Sequence, residues 1–149
     1  MEATKVIRTA YAGVREFNDI AGNLTNVTDE SIDAQLGFCF EELSEAIEAF
    51  EAGDKAEFLK EACDMFVVLG GLLQKMEAQG YNVAQALLRV NENNLSKFPK
   101  VGEVFGNPEK FTLYTNPKYN RVVLKDANGK VRKPSTYAKV DLSDLVGAK

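Results

Sequence analysis

The chain of 149 residues contains no histidine. This absence excludes a Ser-His-Asp triad, a Cys-His pair and a zinc ion bound by histidine. It also excludes the Glu-x-x-His motifs of carboxylate di-iron bundles. Neither of the glycine-rich phosphate-binding motifs, GxxxxGK[ST] and GxGxxG, is present. What remains is a site built from oxygen ligands, and such a site suits magnesium or manganese.

Cysteines and long apolar runs are also scarce. The two cysteines, Cys39 and Cys63, fit no CxxC pattern, so free thiols are predicted rather than a disulfide. The N-terminal residues show no signal-peptide pattern. The longest apolar run, residues 65–73, is too short to span a membrane. We therefore expect a cytoplasmic protein without a membrane partner.

The charge is modest overall and unevenly distributed along the chain. A net charge of −4 disfavours a nucleic-acid polymer as partner. Residues 41–64 contain nine acids and two lysines, whereas residues 97–149 contain eleven bases and five acids. This asymmetry fits a metal held by acids and a polyphosphate held partly by lysines. The alternative is a set of solvated helix faces followed by a basic tail.

Apolar periodicity and capping residues predict an all-α protein. The four predicted helices occupy residues 4–21, 29–51, 55–79 and 83–97. After Pro99, residues 120–133 predict a short β-hairpin around a turn at residues 126–129. The predicted architecture is a four-helix bundle at residues 1–98, followed by an extension at residues 99–149 with a C-terminal hairpin or extended tail.

Two acidic pairs lie on the second and third predicted helices. Glu42 and Glu45 are three residues apart, as are Glu61 and Asp64, so each pair projects from one side of its helix. Glu45 lies eight positions before Gly53 in the intervening turn, and Glu61 lies eight positions after it. The pairs should therefore face each other across an antiparallel hairpin. Four clustered carboxylates repel one another and are costly to desolvate, which predicts a Mg²⁺ site, with Mn²⁺ as a possible substitute.

A helical wheel predicts a core stripe on each of these two helices, with the acidic pairs beside it. On the second helix the stripe contains Leu36, Cys39, Leu43, Ile47 and Phe50. On the third helix it contains Leu59, Ala62, Phe66, Leu69 and Leu73. Each helix also has a second apolar face beyond the main stripe. We expect that face to be buried against another subunit.

The fourth helix offers polar side chains for a phosphate-bearing substrate. Asn91, Asn94 and Lys97 recur every three residues and share one face. An amide beside an ammonium group suits phosphate or sugar oxygens. The alternative is a polar helix C-terminus whose lysine is favoured by the helix dipole.

These motifs resemble a known family. The segments 41–46, 61–64 and 94–98, with the turn near Gly53, resemble the all-α nucleoside triphosphate pyrophosphohydrolases of the MazG type. The resemblance covers about residues 5–98. The tail at residues 126–137 resembles a phage-type branch related to phosphoribosyl-ATP pyrophosphohydrolases. If the chain is viral, the expected location is the host cytoplasm.

The resemblance implies an activity and roles for particular residues. It implies Mg²⁺-dependent hydrolysis of (deoxy)nucleoside triphosphates between the α and β phosphates, giving a nucleoside monophosphate and pyrophosphate. The two acidic pairs would hold the metal ions and orient the water, and Asn94 and Lys97 would contact the substrate. The resemblance also implies a homodimer or homotetramer. The resemblance further implies that the base is recognised by four residues: Phe17, Asn18, Gln35 and Phe38. The alternative is that these residues serve core packing or helix polarity, which explains them equally well.

Two other functions remain open from the sequence. Within the enzyme class, the alternative is hydrolysis of phosphoribosyl-ATP, although the phage-like tail favours control of the nucleotide pool. The alternative of another class is a non-catalytic helical oligomer whose acids only solvate the bundle.

Overall fold

The computed structural model describes residues 2–103 and 112–147, except the side chain of Leu113. The helices are α1 (Ala3–Ile20), α2 (Asp29–Glu51), α3 (Lys55–Ala78) and α4 (Val83–Leu95), and the strands are β1 (Thr112–Asn116) and β2 (Arg121–Lys125). The predicted all-α fold with a C-terminal hairpin is therefore confirmed. Among the described helices, none combines the length and apolar character needed to cross a membrane.

The chain divides into two compact units. The first comprises residues 2–83 and 146–147 and contains α1, α2 and α3. The second comprises residues 84–103 and 112–145 among those described, and it contains nearly all of α4 together with both strands. The predicted domain boundary after residue 98 stays a prediction.

Local capping sets the ends of the α2–α3 hairpin. Thr28 and Ser31 form a reciprocal capping box at the start of α2, with each side chain accepting from the other residue's backbone N–H. The carboxylate of Asp54 accepts from the first backbone N–H groups of α3. Gly53 adopts φ +73°, which glycine tolerates without steric cost. The tight turn therefore makes α2 and α3 antiparallel neighbours.

The two helices pack through a face other than the predicted stripe. On α2, the buried residues are Gln35, Ala46 and Ala49. Four residues of the predicted stripe keep 43–68% of their surface exposed: Leu36, Leu43, Ile47 and Phe50. On α3, Glu61 is buried while Leu59 of the stripe is 67% exposed. The predicted core stripe is therefore wrong for the single chain. Small alanine side chains on the flank of α2 let the helices approach closely there.

The interior of the first unit contains a polar cluster that the sequence patterns did not reveal. Asn18 of α1 donates to Gln74 Oε1 of α3 at 3.1 Å. Gln35 of α2 donates to the carbonyl oxygen of Val68 at 2.8 Å. A Cβ atom on Gly71 would lie 2.9 Å from Gln35 Nε2, so glycine leaves room for this amide. The packing of α1 and α2 on α3 depends on that space.

The β-hairpin forms with a different partner strand from the predicted one. β2 pairs with β1 in antiparallel register. Val131 forms only a single bridge, to Lys125. The predicted turn does exist, since the N–H of Gly129 donates to the carbonyl oxygen of Asp126. The Asp126 carboxylate also accepts the backbone N–H of Lys130 at 2.9 Å within this turn. The predicted pairing of residues 130–133 with β2 is therefore confined to this bridge, in which the N–H groups of Arg132 and Asp126 donate to the carbonyl oxygens of Leu124 and Lys130.

Candidate metal centre

Three of the predicted carboxylates converge across the α2–α3 hairpin. One carboxylate oxygen from each of Glu42, Glu45 and Glu61 lies within 4.8 Å of the others. They differ in exposure, because Glu61 is buried, Glu42 is half-buried and Glu45 is exposed. Two ligands three residues apart on α2 thus meet one ligand from α3. This arrangement is open to solvent on one side and closed by protein on the other.

Within the described part of the chain, only one of the two carboxylate oxygens of Glu61 interacts with a positively charged group. Its side chain is 3% exposed, and its Oε1 atom accepts from Lys60 Nζ at 2.7 Å. Its Oε2 atom is buried and has no hydrogen-bond partner. An unsatisfied buried carboxylate oxygen is costly, and a divalent cation relieves that cost. Carboxylate oxygens are also the ligands that Mg²⁺ and Mn²⁺ prefer, so the residues fit such an ion.

The electrostatics of the three acids are unequal. Burial and the neighbouring carboxylates raise the pKa of Glu42. The charge of Glu61 raises the pKa of Glu45. The hydrogen bond from Lys60 lowers the pKa of Glu61. The α2 acids therefore resist ionisation while the cluster lacks a cation, and a bound cation would favour their charged forms.

Asp64 lies beside this cluster but outside it. Its Oδ2 atom is 3.3 Å from Lys60 Nζ, and its side chain is 38% exposed. Lys60 also lies 3.6 Å from Glu57, so one ammonium group neutralises several acids of α3. Hydrogen bonds to Glu61 and Asp64 raise the pKa of Lys60. The sequence interpretation overlooked Lys60, although its position four residues before Asp64 is the spacing of a helical ion pair. The complete set of four ligands stays a prediction.

The residues predicted to recognise the base lie in two kinds of surroundings. The amide of Asn18 is buried in the polar cluster and also accepts from Asn23 Nδ2 at 2.9 Å. Gln35 is buried as well and donates to a backbone carbonyl oxygen. Phe17 and Phe38 are 65% and 49% exposed. The rings are thus at the surface while the amides hold helices together, and a role in base recognition stays a prediction.

The polar residues predicted on the fourth helix belong to the second unit, where Asn91 and Asn94 lie in α4 and Lys97 follows its end. Asn91 and Asn94 are exposed, and Lys97 is half-buried. Asn94 Oδ1 accepts from Lys97 Nζ at 2.8 Å, so the amide and the ammonium group contact each other. The ammonium group also lies 6.0 Å from the ring centre of Tyr137. Contact of these residues with a substrate stays a prediction.

A family of known proteins matches the helical part of the chain. A model of the phosphoribosyl-ATP pyrophosphohydrolase family matches residues 14–91, which is just over half of the chain. The match contains both acidic pairs and runs from α1 into α4. No curated protein and no solved structure matches the chain.

The match assigns a class of chemistry as well as a fold. The family consists of pyrophosphohydrolases, which act on phosphoric anhydride bonds and depend on divalent metal ions. This assignment disfavours the alternative of a non-catalytic oligomer and confirms the predicted resemblance to MazG-type proteins. The chain belongs to the phosphoribosyl-ATP pyrophosphohydrolase family of the MazG-like all-α superfamily, and it is a nucleotide pyrophosphohydrolase.

Proposed function

We propose that the chain hydrolyses (deoxy)nucleoside triphosphates between the α and β phosphates in a Mg²⁺-dependent reaction. The products are a nucleoside monophosphate and pyrophosphate. The observation that carries this proposal is the convergence of Glu42, Glu45 and Glu61, with one buried oxygen of Glu61 left unsatisfied. Carboxylate clusters of this kind serve phosphate chemistry because a metal they hold can contact phosphate oxygens.

The roles of the acids follow from their exposure. Glu42, Glu45 and Glu61 would hold Mg²⁺, or Mn²⁺ in its place, and Asp64 completes the proposed set. When bound, the ion neutralises charge that develops on the phosphate oxygens. Glu45 is the exposed acid of the three. It is therefore suited to orient a water molecule from solvent and to accept a proton from it.

The substrate contacts come from other parts of the chain. We assign phosphate or sugar contacts to Asn94 and Lys97, whose polar groups already contact each other, and to Asn91 on the same helix. We assign the base to Phe38, whose exposed ring offers a surface for stacking, whereas the predicted contact from Asn18 would require its buried amide to leave Gln74 and Asn23.

A second candidate substrate is phosphoribosyl-ATP. The family match favours it by name. The chemistry would be the same, because this substrate also carries a triphosphate that is cleaved between the α and β phosphates. The acidic cluster serves either substrate, so the distinction rests on recognition of the group attached to the nucleotide.

The test is an assay of the full chain for pyrophosphate release. Each canonical and deoxy nucleoside triphosphate, and phosphoribosyl-ATP, is incubated with the protein and MgCl₂. We expect release from at least one triphosphate, and Glu61→Gln should lower the rate by about 100-fold or more. Glu48→Gln is the matched control, because Glu48 is exposed on α2 and outside the cluster. Both variants should keep the helical content of the parent protein in circular dichroism.

Three results would discriminate the proposals. If only phosphoribosyl-ATP is hydrolysed, it is the substrate and the nucleoside triphosphates are not. Full activity in Glu61→Gln would refute the metal assignment. Absence of pyrophosphate release from every substrate would refute the hydrolytic function.

The oligomeric state belongs to the same proposal. We expect a homodimer or homotetramer, because large apolar side chains on α2 and α3 remain exposed in the single chain: Leu36, Phe40, Leu43, Ile47, Phe50 and Leu59. Light scattering coupled to gel filtration measures the mass directly. Phe40→Glu should shift the protein towards the monomer, and an unchanged mass would exclude this face as the interface.

A further inference from the structure

The second unit contains a cavity that lies outside the residues of the family match. It measures about 610 Å³, within the ~300–1,000 Å³ range of small-ligand sites. Leu95 and Phe98 line it from the end of α4 and the segment that follows. The other lining residues come from the hairpin region: Tyr114, Asn116, Tyr119, Arg121, Val123, Lys125 and Val131.

The strand register explains why these side chains share one face. Tyr114 is paired with Val123, and Asn116 is paired with Arg121. Residues two apart on a strand project to the same side, so Lys125 joins Val123 and Arg121 there. Val123 is 6% exposed and forms an apolar base for the cavity.

Aromatic rings form much of the cavity wall. Phe98, Tyr114 and Tyr119 all line it. Tyr114 and Tyr119 are 44% and 65% exposed, although their rings carry large apolar faces. Lys125 Nζ lies 5.5 Å from the ring centre of Tyr114, and Lys118 Nζ lies 5.1 Å from the ring centre of Tyr119. Because lysine side chains are flexible, a flat ligand such as a nucleobase can stack on these exposed rings beside an ammonium group or in its place.

Two positively charged side chains, Arg121 and Lys125, line the cavity together with the rings. Among the described residues, no carboxylate forms an ion pair with Arg121 or Lys125. The neighbouring acid, Asp126, pairs with Arg132 at 2.6 Å instead. The guanidinium of Arg121 donates to the carbonyl oxygen of Phe98 at 3.1 Å, which holds it in place and leaves other N–H donors. A bound anion would complete this site.

One amide in the cavity has a fixed orientation. Asn116 Oδ1 accepts the backbone N–H groups of Lys118 and Tyr119, at 3.0 and 3.3 Å. The oxygen is therefore used within the turn, and the amide nitrogen is the end that can donate to a ligand. Acceptor atoms at the edge of a nucleobase match such a donor.

We propose that this cavity binds a nucleotide, separately from the acidic cluster of the first unit. The base stacks on the tyrosine rings, and its phosphate lies against Arg121 and Lys125. The combination of aromatic rings, an amide donor and two cations that pair with no carboxylate among the described residues favours a nucleotide over an apolar ligand or a simple anion. Two sources share this chemistry, a nucleotide free in solution and a nucleotide within a single strand.

The experiment is calorimetric titration of the full chain with AMP in the presence of EDTA, which removes divalent metal from the acidic cluster. We expect saturable binding that Tyr114→Leu and Lys125→Gln each weaken by about fivefold or more. Lys130→Gln is the matched control, since Lys130 is exposed in the adjacent turn and does not line the cavity. Its affinity for AMP should equal that of the parent protein. Thermal unfolding checks that every variant is folded.

Further titrations distinguish a free nucleotide from a nucleotide within a single strand. A short deoxyadenosine oligonucleotide that binds more tightly than AMP, with a steep salt dependence, identifies a strand as the source. Equal or weaker binding identifies the free nucleotide. The proposal is overturned if neither probe binds saturably, if the two cavity variants bind AMP as the parent does, or if inorganic phosphate binds as tightly as AMP.

Discussion

Replacement of Gly71 by alanine tests the polar cluster that joins the first three helices. In an ordinary helix interior, Gly→Ala stabilises a protein by about 0.5–1 kcal/mol. At Gly71 the new Cβ atom would lie 2.9 Å from Gln35 Nε2, closer than the two atoms can approach without displacement. The end of a glutamine side chain moves easily in most settings. Here it is buried and donates to the carbonyl oxygen of Val68 at 2.8 Å.

The magnitude follows from these opposing effects. Displacing the Gln35 amide breaks its hydrogen bond and leaves buried polar groups unpaired, which costs about 1–3 kcal/mol. Subtracting the helix-propensity gain of about 0.5–1 kcal/mol leaves a net destabilisation of roughly 0–2.5 kcal/mol, with a central value of about 1 kcal/mol. The free energy of unfolding is measured by urea titration followed by circular dichroism.

Gly37→Ala is the matched control for this experiment. Gly37 lies in α2, and a Cβ atom there would meet no atom within 4 Å. This variant should be stabilised by about 0.5–1 kcal/mol. In a Gln35→Ala background, Gly71→Ala should lower the free energy of unfolding much less, because the clashing amide is gone. Equal stabilisation by Gly71→Ala and Gly37→Ala would refute the reasoning.

Three further predictions concern single side chains. Thr28→Ala removes the capping box of α2 and should lower the free energy of unfolding by about 1 kcal/mol in urea titration. Lys60→Gln removes an ammonium group that lies 2.7 Å from Glu61 Oε1 and competes with a metal ion there. Calorimetry should therefore show an affinity for Mg²⁺ at least about threefold higher than that of the parent protein. The backbone N–H of Lys130 lowers the pKa of Asp126 below its ordinary 3.8. The ionised form is therefore favoured by folding, and stability present above pH 3.8 should be lost as the pH falls through the lowered pKa. The amide signal of Gly129 in NMR spectra reports this local change.

Each of these predictions has its own control. Thr25→Ala should leave the unfolding free energy within about 0.5 kcal/mol of the parent, since the Thr25 side chain caps no helix. Weaker Mg²⁺ binding by Lys60→Gln would mean that the ammonium group helps to form the site. Asp126→Asn should remove the acid-dependent change at Gly129, and its persistence would assign the change to another acid.

Much of the site could be predicted because it depends on local sequence. The caps Thr28 and Asp54 and the left-handed Gly53 set the ends of α2 and α3 within a residue or two. With the turn located, equal spacing placed Glu45 and Glu61 at the same height on the hairpin. The structure brings these two together with Glu42.

The packing face could not be predicted in the same way. Both helices have wide apolar arcs, so the wheel offered several faces of similar hydrophobicity. The structure buries the flank with Ala46 and Ala49 and leaves Leu43 and Ile47 exposed. Close approach of two backbones decided this choice, and the sequence pattern of one helix does not contain that information.

By itself, the sequence determined the helices, the acidic pairs, the oxygen-only chemistry and the family, because these depend on spacing and residue type. Only the tertiary structure decided that Glu61 is buried with an unsatisfied oxygen, that Lys60 lies against it, and that β1 is the partner of β2. These features arise from contacts between elements, whose free energies depend on how the elements fit and not on their individual periodicities.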